Sequence, residues 1–155
     1  MITYVDTSTL LKLIIEEPGS EAAAVVWDQS EALASARILY VEARAALAAA
    51  RRGKRLTPAQ HRRAVEILAD LWSQISVVEV DRDLIERAAE LAERNGLRGY
   101  DAVHLAAALL VGAHIFTSAD HSLCQTARAE GFHVANPAEK LPTTSFPRAQ
   151  PGAPD

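Results

Sequence analysis

The sequence has few of the features that mark several common protein classes. Cys124 is the one cysteine among 155 residues, which rules out an intramolecular disulfide and zinc sites built on paired cysteines. The seven glycines form no glycine-rich phosphate loop, so kinase-type and Rossmann-type nucleotide sites are excluded. Aromatic residues make up only 5% of the chain, which argues against extensive base stacking on single-stranded nucleic acid.

Export signals and long apolar segments are also missing. The longest uncharged apolar run, residues 105–113, falls far short of the ~20 residues that span a bilayer. No basic run near the first residue leads into an apolar stretch with a small-residue cleavage site. We therefore expect a cytoplasmic protein that makes no membrane contact. The formal net charge of -4 means that any binding to nucleic acid must depend on a local basic surface.

Short runs rich in β-formers alternate with longer helical patterns. The predicted strands are 2–5, 32–35, 76–80, 114–117 and 132–135, and the predicted helices include 38–52, 58–72, 82–95, 100–111 and 119–130. Parallel neighbours need such helical crossovers, so the order predicts an α/β fold, a three-layer α/β/α sandwich with a central parallel sheet. Residues 1–136 are expected to form one domain. The segment 137–155 holds five of the seven prolines and is expected to be an unstructured tail.

Two carboxylates follow predicted strands. Asp6 comes directly after the first strand, and Asp120 comes three residues after the strand that ends at Thr117. Ligands of open parallel sheets bind beyond the carboxyl ends of the strands, so both positions favour a functional role. Aspartate is also a good helix N-cap, and that alternative stays open for each residue.

Two further carboxylates lie against apolar helical surfaces. Glu42 lies on the apolar stripe of its alanine-rich helix, and Asp101 opens a helix with almost no polar face. An unpaired charge is costly in such surroundings. The structural alternative pairs Glu42 with Arg44 or Arg37, and Asp101 with Arg98 or with the amides of its own helix.

Convergence at one site would explain all four positions, Asp6, Glu42, Asp101 and Asp120. Two close carboxylates repel each other by ~4 kcal/mol at an effective dielectric of twenty, so the group needs a countercharge such as a divalent cation. Oxygen ligands favour Mg²⁺ or Mn²⁺ over zinc, and such a site suits phosphate chemistry. We expect Asp6 and Asp101 to bind the cation directly, and Glu42 and Asp120 to act as ligands or to orient its water.

Four segments together resemble the PIN-domain ribonucleases, and VapC-type toxins in particular. They are the strand end Tyr4-Val5-Asp6-Thr7-Ser8, Glu42 in its alanine-rich helix, Leu97-Arg98-Gly99-Tyr100-Asp101-Ala102-Val103-His104-Leu105-Ala106, and Phe116-Thr117-Ser118-Ala119-Asp120. The resemblance implies that the four acids form a Mg²⁺- or Mn²⁺-dependent centre that hydrolyses RNA phosphodiester bonds. It also implies a homodimer and a cognate VapB-type antitoxin that blocks the site and represses the shared operon.

Ser8, His104 and Thr117 are weaker candidates for orienting a carboxylate or a water molecule. His104 follows Asp101 by three residues and shares its helical face, although a satisfied core histidine is the favoured interpretation in so apolar a helix. Ser8 and Thr117 lie beside strand ends, where hydroxyl groups commonly cap helices.

A basic island lies between residues 43 and 65, where no Asp or Glu occurs. It holds seven of the sixteen Lys and Arg residues. We expect RNA phosphates to be contacted by Arg51, Arg52, Lys54 and Arg55. The alternatives are a solvated helical hairpin or charges that complement a helix C-terminus.

Two other functions compete with RNA cleavage. The first is a non-catalytic PIN-like module that binds RNA or a partner through the same scaffold. The second is a phosphatase with Asp6 as nucleophile, although Ser8 stands where a second aspartate would be expected for acid–base work. All four acids are present, which favours the nuclease.

Overall fold

The computed structural model describes residues 1–139, which contain five strands and seven helices. The strands are β1 (Ile2–Val5), β2 (Ala32–Ala36), β3 (Ile75–Val78), β4 (Ile115–Thr117) and β5 (His133–Ala135). The helices are α1 (Thr7–Ile14), α2 (Ser20–Gln29), α3 (Ile38–Arg52), α4 (Pro58–Trp72), α5 (Arg82–Asn95), α6 (Gly99–Leu110) and α7 (His121–Ala129). Within these residues no helix is long and apolar enough to cross a bilayer.

All five strands pair in parallel, in the order β3-β2-β1-β4-β5. The chain first moves outward from β1 through β2 to β3, and then returns to place β4 and β5 on the other side of β1. The direction of winding therefore reverses between β1 and β4. In open parallel sheets the crevice outside the carboxyl ends of the strands at such a reversal is the usual binding site.

One hydrophobic cluster lies on each face of the sheet. Tyr4 and Phe116 point to the face that is covered by α5, α6 and α7, and their stacked rings lie 5.5 Å apart. Val5 belongs to the other cluster, with the apolar sides of α1 to α4. The side chains alternate between the two faces along β1, as the pleat of a strand requires. The predicted three-layer α/β/α sandwich is confirmed.

Helix α6 is enclosed on nearly all sides, as its composition predicts. Seven consecutive residues, 102–108, are buried. The helix packs against α5 and β2. It therefore holds Asp101 in its first turn, and His104 one turn later, in fixed positions relative to the sheet.

Local signals determine several helix ends. Helix α4 begins with a capping box in which the Thr57 side chain accepts the Gln60 N–H and the Gln60 side chain accepts the Thr57 N–H. Helix α5 ends at Gly96, whose φ of 65° is left-handed. Both ends lie where the sequence places them.

Several boundaries differ from the prediction by one or two residues. Ser20 is a residue type that suits the N-cap of α2, but Gly19 occupies that position, and the Ser20 hydroxyl donates to the Ile15 carbonyl at 3.2 Å. Helix α7 begins after Asp120 rather than at residue 119. Strand β3 is shifted toward the N-terminus relative to 76–80, because its pairing with β2 starts at Ile75.

The described chain continues three residues past the expected domain end at 136. Pro137 is buried, and the Ala138 N–H donates to the Asn136 side chain at 2.8 Å. The rest of the predicted tail, residues 140–155, lies outside the described residues.

We predict that Gly19→Ala lowers the free energy of unfolding more than Gly96→Ala does. Both glycines have a positive φ, which costs an L-residue about 1–2 kcal/mol. At Gly19 a Cβ would also lie 2.5 Å from the Pro137 carbonyl oxygen, whereas at Gly96 it meets no atom within 4 Å. Urea denaturation of the two variants measures the difference. Equal losses would contradict the packing of Pro137 on the turn between α1 and α2.

Candidate active site

Asp6 leaves the end of β1 at the reversal of the sheet and is buried. It occupies the N-cap position of α1, but its side chain caps no backbone N–H. Its Oδ2 accepts hydrogen bonds from the hydroxyls of Ser8 at 2.6 Å and Ser118 at 2.8 Å. The purely capping alternative is therefore wrong for Asp6.

Glu42 reaches the same edge of the sheet from α3. Its Oε1 accepts a hydrogen bond from the Thr7 hydroxyl at 3.0 Å and lies 2.5 Å from Nε2 of His104. The expected arginine partners lie elsewhere, because Arg37 pairs with Glu79 and Arg44 stacks over the ring of Tyr40. Glu42 is thus held by a hydroxyl and an imidazole.

His104 is the fully buried centre of this network. Its Nε2 faces Glu42 and lies 3.7 Å from Oδ1 of Asp6. Its Nδ1 lies 2.8 Å from the Tyr4 hydroxyl, whose oxygen also accepts the Ala36 N–H at 3.0 Å. These hydrogen bonds form a series from the Ala36 N–H through Tyr4 and His104 to Glu42. Every polar group in the series has a partner, as burial requires.

Asp101 and Asp120 share one partner, Arg98, at the exposed side of the site. Arg98 donates to Oδ2 of Asp101 at 3.0 Å and to Oδ2 of Asp120 at 3.3 Å. Asp120 also caps α7 by accepting the Leu123 N–H at 2.9 Å. The two structural alternatives, an arginine partner for Asp101 and a cap for Asp120, are therefore both present.

Ser118 connects the two halves of the site. Its hydroxyl donates to Asp6 and accepts the Asp120 N–H at 3.1 Å. We call the set Asp6, Glu42, Asp101 and Asp120 the carboxylate cluster. These acids follow β1, lie in α3 and α6, and precede α7, respectively. His104 lies between Asp6 and Glu42, Ser118 connects Asp6 to Asp120, and Arg98 bridges Asp101 and Asp120.

Burial and the neighbouring carboxylates shift two pKa values at the site. Burial raises the pKa of the Asp101 carboxyl, the charges of Asp6 and Asp120 add to the rise, and Arg98 opposes it. Burial alone lowers the pKa of His104, but the hydrogen bond to Glu42 and the charge of Asp6 outweigh it, so this pKa is raised. Both directions indicate a site that favours additional positive charge.

Among the weaker candidates, the side chain of Ser8 contacts the cluster and that of Thr117 does not. Ser8 donates to Asp6, whereas the Thr117 hydroxyl lies 3.1 Å from that of Thr9 and contacts no member of the cluster. The sequence analysis missed three contributors, Tyr4, Thr7 and Ser118. Thr7 and Ser118 do adjoin predicted strand ends, which is the signal that could have identified them.

The basic island is exposed on the hairpin formed by α3 and α4. Arg51 and Arg52 lie in the last turn of α3, and Lys54 and Arg55 lie in the connection that follows. Arg51 is nine residues beyond Glu42, or about 14 Å along the helix axis. These side chains therefore lie well away from Glu42 along α3, and in the described part of the chain none of them forms a hydrogen bond or ion pair with the carboxylate cluster.

Several carboxylate oxygens of the cluster are available to a divalent cation. Among residues 1–139 no three His, Cys, Asp or Glu side chains are arranged to enclose a metal ion. Hydrogen bonds within that part of the chain leave one oxygen each of Asp6, Glu42 and Asp101 without a donor, namely Oδ1, Oε2 and Oδ1. Mg²⁺ keeps several waters and needs only one or two protein carboxylates, so the donor chemistry fits such an ion.

A sequence model of the family described as PIN domain matches residues 3–129. The chain belongs to the PIN-domain family. It is also 41% identical to ribonuclease VapC45 of Mycobacterium tuberculosis over 143 residues, which cover 91% of this chain and 99% of the relative. This places it among the VapC-type members of the family.

Solved structures share the PIN-domain fold. Mycobacterium tuberculosis VapC20, described as a sarcin-ricin loop cleaving toxin, superposes with a TM-score of 0.64 at 22% identity, covering 84% of this chain and 95% of that one. A toxin-antitoxin complex from Klebsiella pneumoniae gives 0.61 at 21% identity, covering 89% and 99%.

We predict that Glu42→Gln lowers the pKa of His104 in the metal-free protein, because the amide removes the charge that opposes the effect of burial. NMR titration of the imidazole measures the shift. Glu130→Gln is the control, since Glu130 pairs with Arg94 and not with the cluster. An unchanged His104 titration in Glu42→Gln would contradict the assigned cause.

The same shift affects stability. The folded chain holds the His104 proton more tightly than the unfolded chain does. His104 therefore adds stability at pH values below its unfolded pKa of about 6.5, and the contribution is lost as the pH rises through the higher folded-state pKa.

Proposed function

We propose that this PIN-domain protein is a VapC-type ribonuclease that hydrolyses RNA phosphodiester bonds at the carboxylate cluster with Mg²⁺ or Mn²⁺. The observation that carries the proposal is the meeting of Asp6, Glu42, Asp101 and Asp120 at the reversal of the sheet. The 41% identity to a protein named a ribonuclease supports the same reaction.

The four acids of the carboxylate cluster have different proposed roles because they lie in different positions. Asp6 and Asp101 each have one carboxylate oxygen without a hydrogen-bond donor and would hold the divalent cation. When bound, the cation supplies countercharge for the phosphate and lowers the pKa of water. Glu42 is held on one oxygen by Thr7 and His104, so its free Oε2 orients the water that attacks phosphorus. Asp120 is fixed by the start of α7 and closes the outer side of the site.

The biological setting follows from the family. We propose that the protein is the toxin of a type II toxin–antitoxin pair, acts as a homodimer, and is neutralised by a VapB-type antitoxin. The toxin-antitoxin complex from Klebsiella pneumoniae, which shares the fold, supports such a partner.

We predict that Asp6→Asn abolishes RNA cleavage and the heat of Mn²⁺ binding while the fold is retained, because a neutral amide is a weaker ligand than a carboxylate. Cleavage of total bacterial RNA with added Mn²⁺, calorimetry and circular dichroism measure the three properties. Asp81→Asn is the matched control, because Asp81 caps α5 outside the cluster and asparagine caps equally well.

Two results would count against the proposal. Full cleavage by Asp6→Asn would remove the carboxylate cluster from the reaction. A wild-type chain that takes up no Mn²⁺ and cleaves no RNA would instead favour the non-catalytic PIN-like binding module.

We further propose that the basic island binds the RNA backbone on the side of α3. The exposed positions of Arg51, Arg52, Lys54 and Arg55 support this. Their distance from Glu42 allows one strand to contact the island and the carboxylate cluster together. RNA would thus be held electrostatically at some distance from the bond that is cut.

We predict that the double variant Arg51→Glu, Arg52→Glu weakens RNA binding and reduces its salt dependence. Each lost phosphate contact lowers the slope of log Kd against log salt by about 0.7 for a single strand. Fluorescence titration with a short mixed-sequence RNA carrying hydrolysis-resistant phosphorothioate linkages measures the slope. The control is Arg87→Glu, Arg94→Glu on α5, which covers the opposite face of the sheet. A slope equal to that of the control would contradict the assignment.

A further inference from the structure

Arg98 is the basic residue at the carboxylate cluster whose role is unexplained. Among residues 1–139 no other Lys or Arg forms an ion pair with a member of the cluster. It precedes the first turn of α6, and its guanidinium bridges Asp101 and Asp120. Its side chain is 78% exposed, so it stands at the mouth of the site.

A contribution to folding stability does not explain why Arg98 bridges Asp101 and Asp120. Ion pairs made by so exposed a side chain contribute little to folding, because water and salt screen them. Asp120 is already fixed by its cap on α7, and the first turn of α6 is held by the buried body of that helix. The bridge therefore holds no element in place that would otherwise be free.

The negative charge of an RNA substrate suggests a role for Arg98. An RNA phosphodiester is an anion that must approach four carboxylates, and His104 is too deeply buried to meet it. Arginine presents five N–H donors in a planar fork that suits two oxygens of one phosphate. The carboxylates engage two nitrogens of Arg98, Nε and one terminal nitrogen, and the exposure of the side chain leaves the remaining donors accessible.

We propose that Arg98 binds a phosphate oxygen of RNA at the cleavage site, and that it exchanges its carboxylate partners for the phosphate once a divalent cation occupies the cluster. This inference rests on the proposed function. The guanidinium pairs with Asp101 and Asp120. A cation held by Asp6 and Asp101 would supply positive charge in its place, and the exposed side chain of Arg98 would then be free to turn to the substrate.

The exchange is tested by measuring RNA affinity of Arg98→Gln with Mn²⁺ and with EDTA, using the phosphorothioate RNA described above. Loss of a charge-assisted hydrogen bond is expected to weaken binding about tenfold with Mn²⁺. The loss should be clearly smaller with EDTA, when Arg98 remains on the carboxylates. Arg98→Lys should recover part of the affinity, because it keeps the charge and loses the fork. Arg94→Gln, an exposed arginine paired with Glu130, is the control.

Calorimetry with Mn²⁺ in the absence of RNA separates this role from a structural one. The inference expects Arg98→Gln to bind Mn²⁺ at least as tightly as the wild type, since a competing cation has been removed. Weaker Mn²⁺ binding would show that Arg98 positions the acids, and would overturn the inference. RNA affinity equal to that of Arg94→Gln, or an equal loss with and without Mn²⁺, would overturn it as well.

Failure of the inference is distinguishable from failure of the proposed function. A wild-type protein that binds no Mn²⁺ would contradict the proposed function, and with it the proposed exchange of Arg98 from the carboxylates to the phosphate. A wild type that binds Mn²⁺ and cleaves RNA, with an Arg98→Gln variant that binds RNA like the control, would sink the exchange alone.

Discussion

Repulsion between carboxylates is the constraint around which the site is built. Two unit charges 4 Å apart repel by about 4 kcal/mol at an effective dielectric of 20, and the carboxylate cluster gathers four acids at one sheet edge. The fold offsets this with donors from separate elements: His104 from α6, Ser118 after β4, and Arg98 before α6. No single helix or strand supplies all of the acids and all of their partners. The cluster therefore exists only when the sheet and α6 are assembled.

Helix α6 joins the packing of the protein to its chemistry. Its alanine-rich body fills the core between the sheet and α5, which leaves no freedom for its first turn. Asp101 and His104 are separated by three residues and so lie on the same face of the helix. A buried histidine is tolerated there because Tyr4 and Glu42 satisfy both ring nitrogens. A continuous series of hydrogen bonds thus crosses the interior from the Ala36 N–H at the end of β2, through Tyr4 and His104, to Glu42.

The sequence predicts those parts of the structure that depend on local signals. The capping box at Thr57, the left-handed Gly96 and the alternation along β1 are each encoded within a few residues, and these elements lie where they are expected. The four acids can be predicted for the same reason, because their positions after strands or on apolar helices can be recognised in the sequence. The hydrogen-bond partners of the acids and of His104 cannot be predicted in this way. Tyr4 meets His104 and Ser118 meets Asp6 across about a hundred residues, and only the sheet order, which the sequence does not encode locally, brings them together.

The two basic side chains of the site, His104 and Arg98, differ in exposure, and this difference distinguishes an inner from an outer side of the cluster. His104 is fully buried among Tyr4, Thr7 and Glu42, so the basic group on the inner side of the cluster is itself out of reach of solvent. Arg98 lies on the outer side, where the surrounding water lets its partners change. An anionic substrate meets the least repulsion where the countercharge is exposed. On the proposed function, this asymmetry favours an approach of RNA from the Arg98 side, over the starts of α6 and α7.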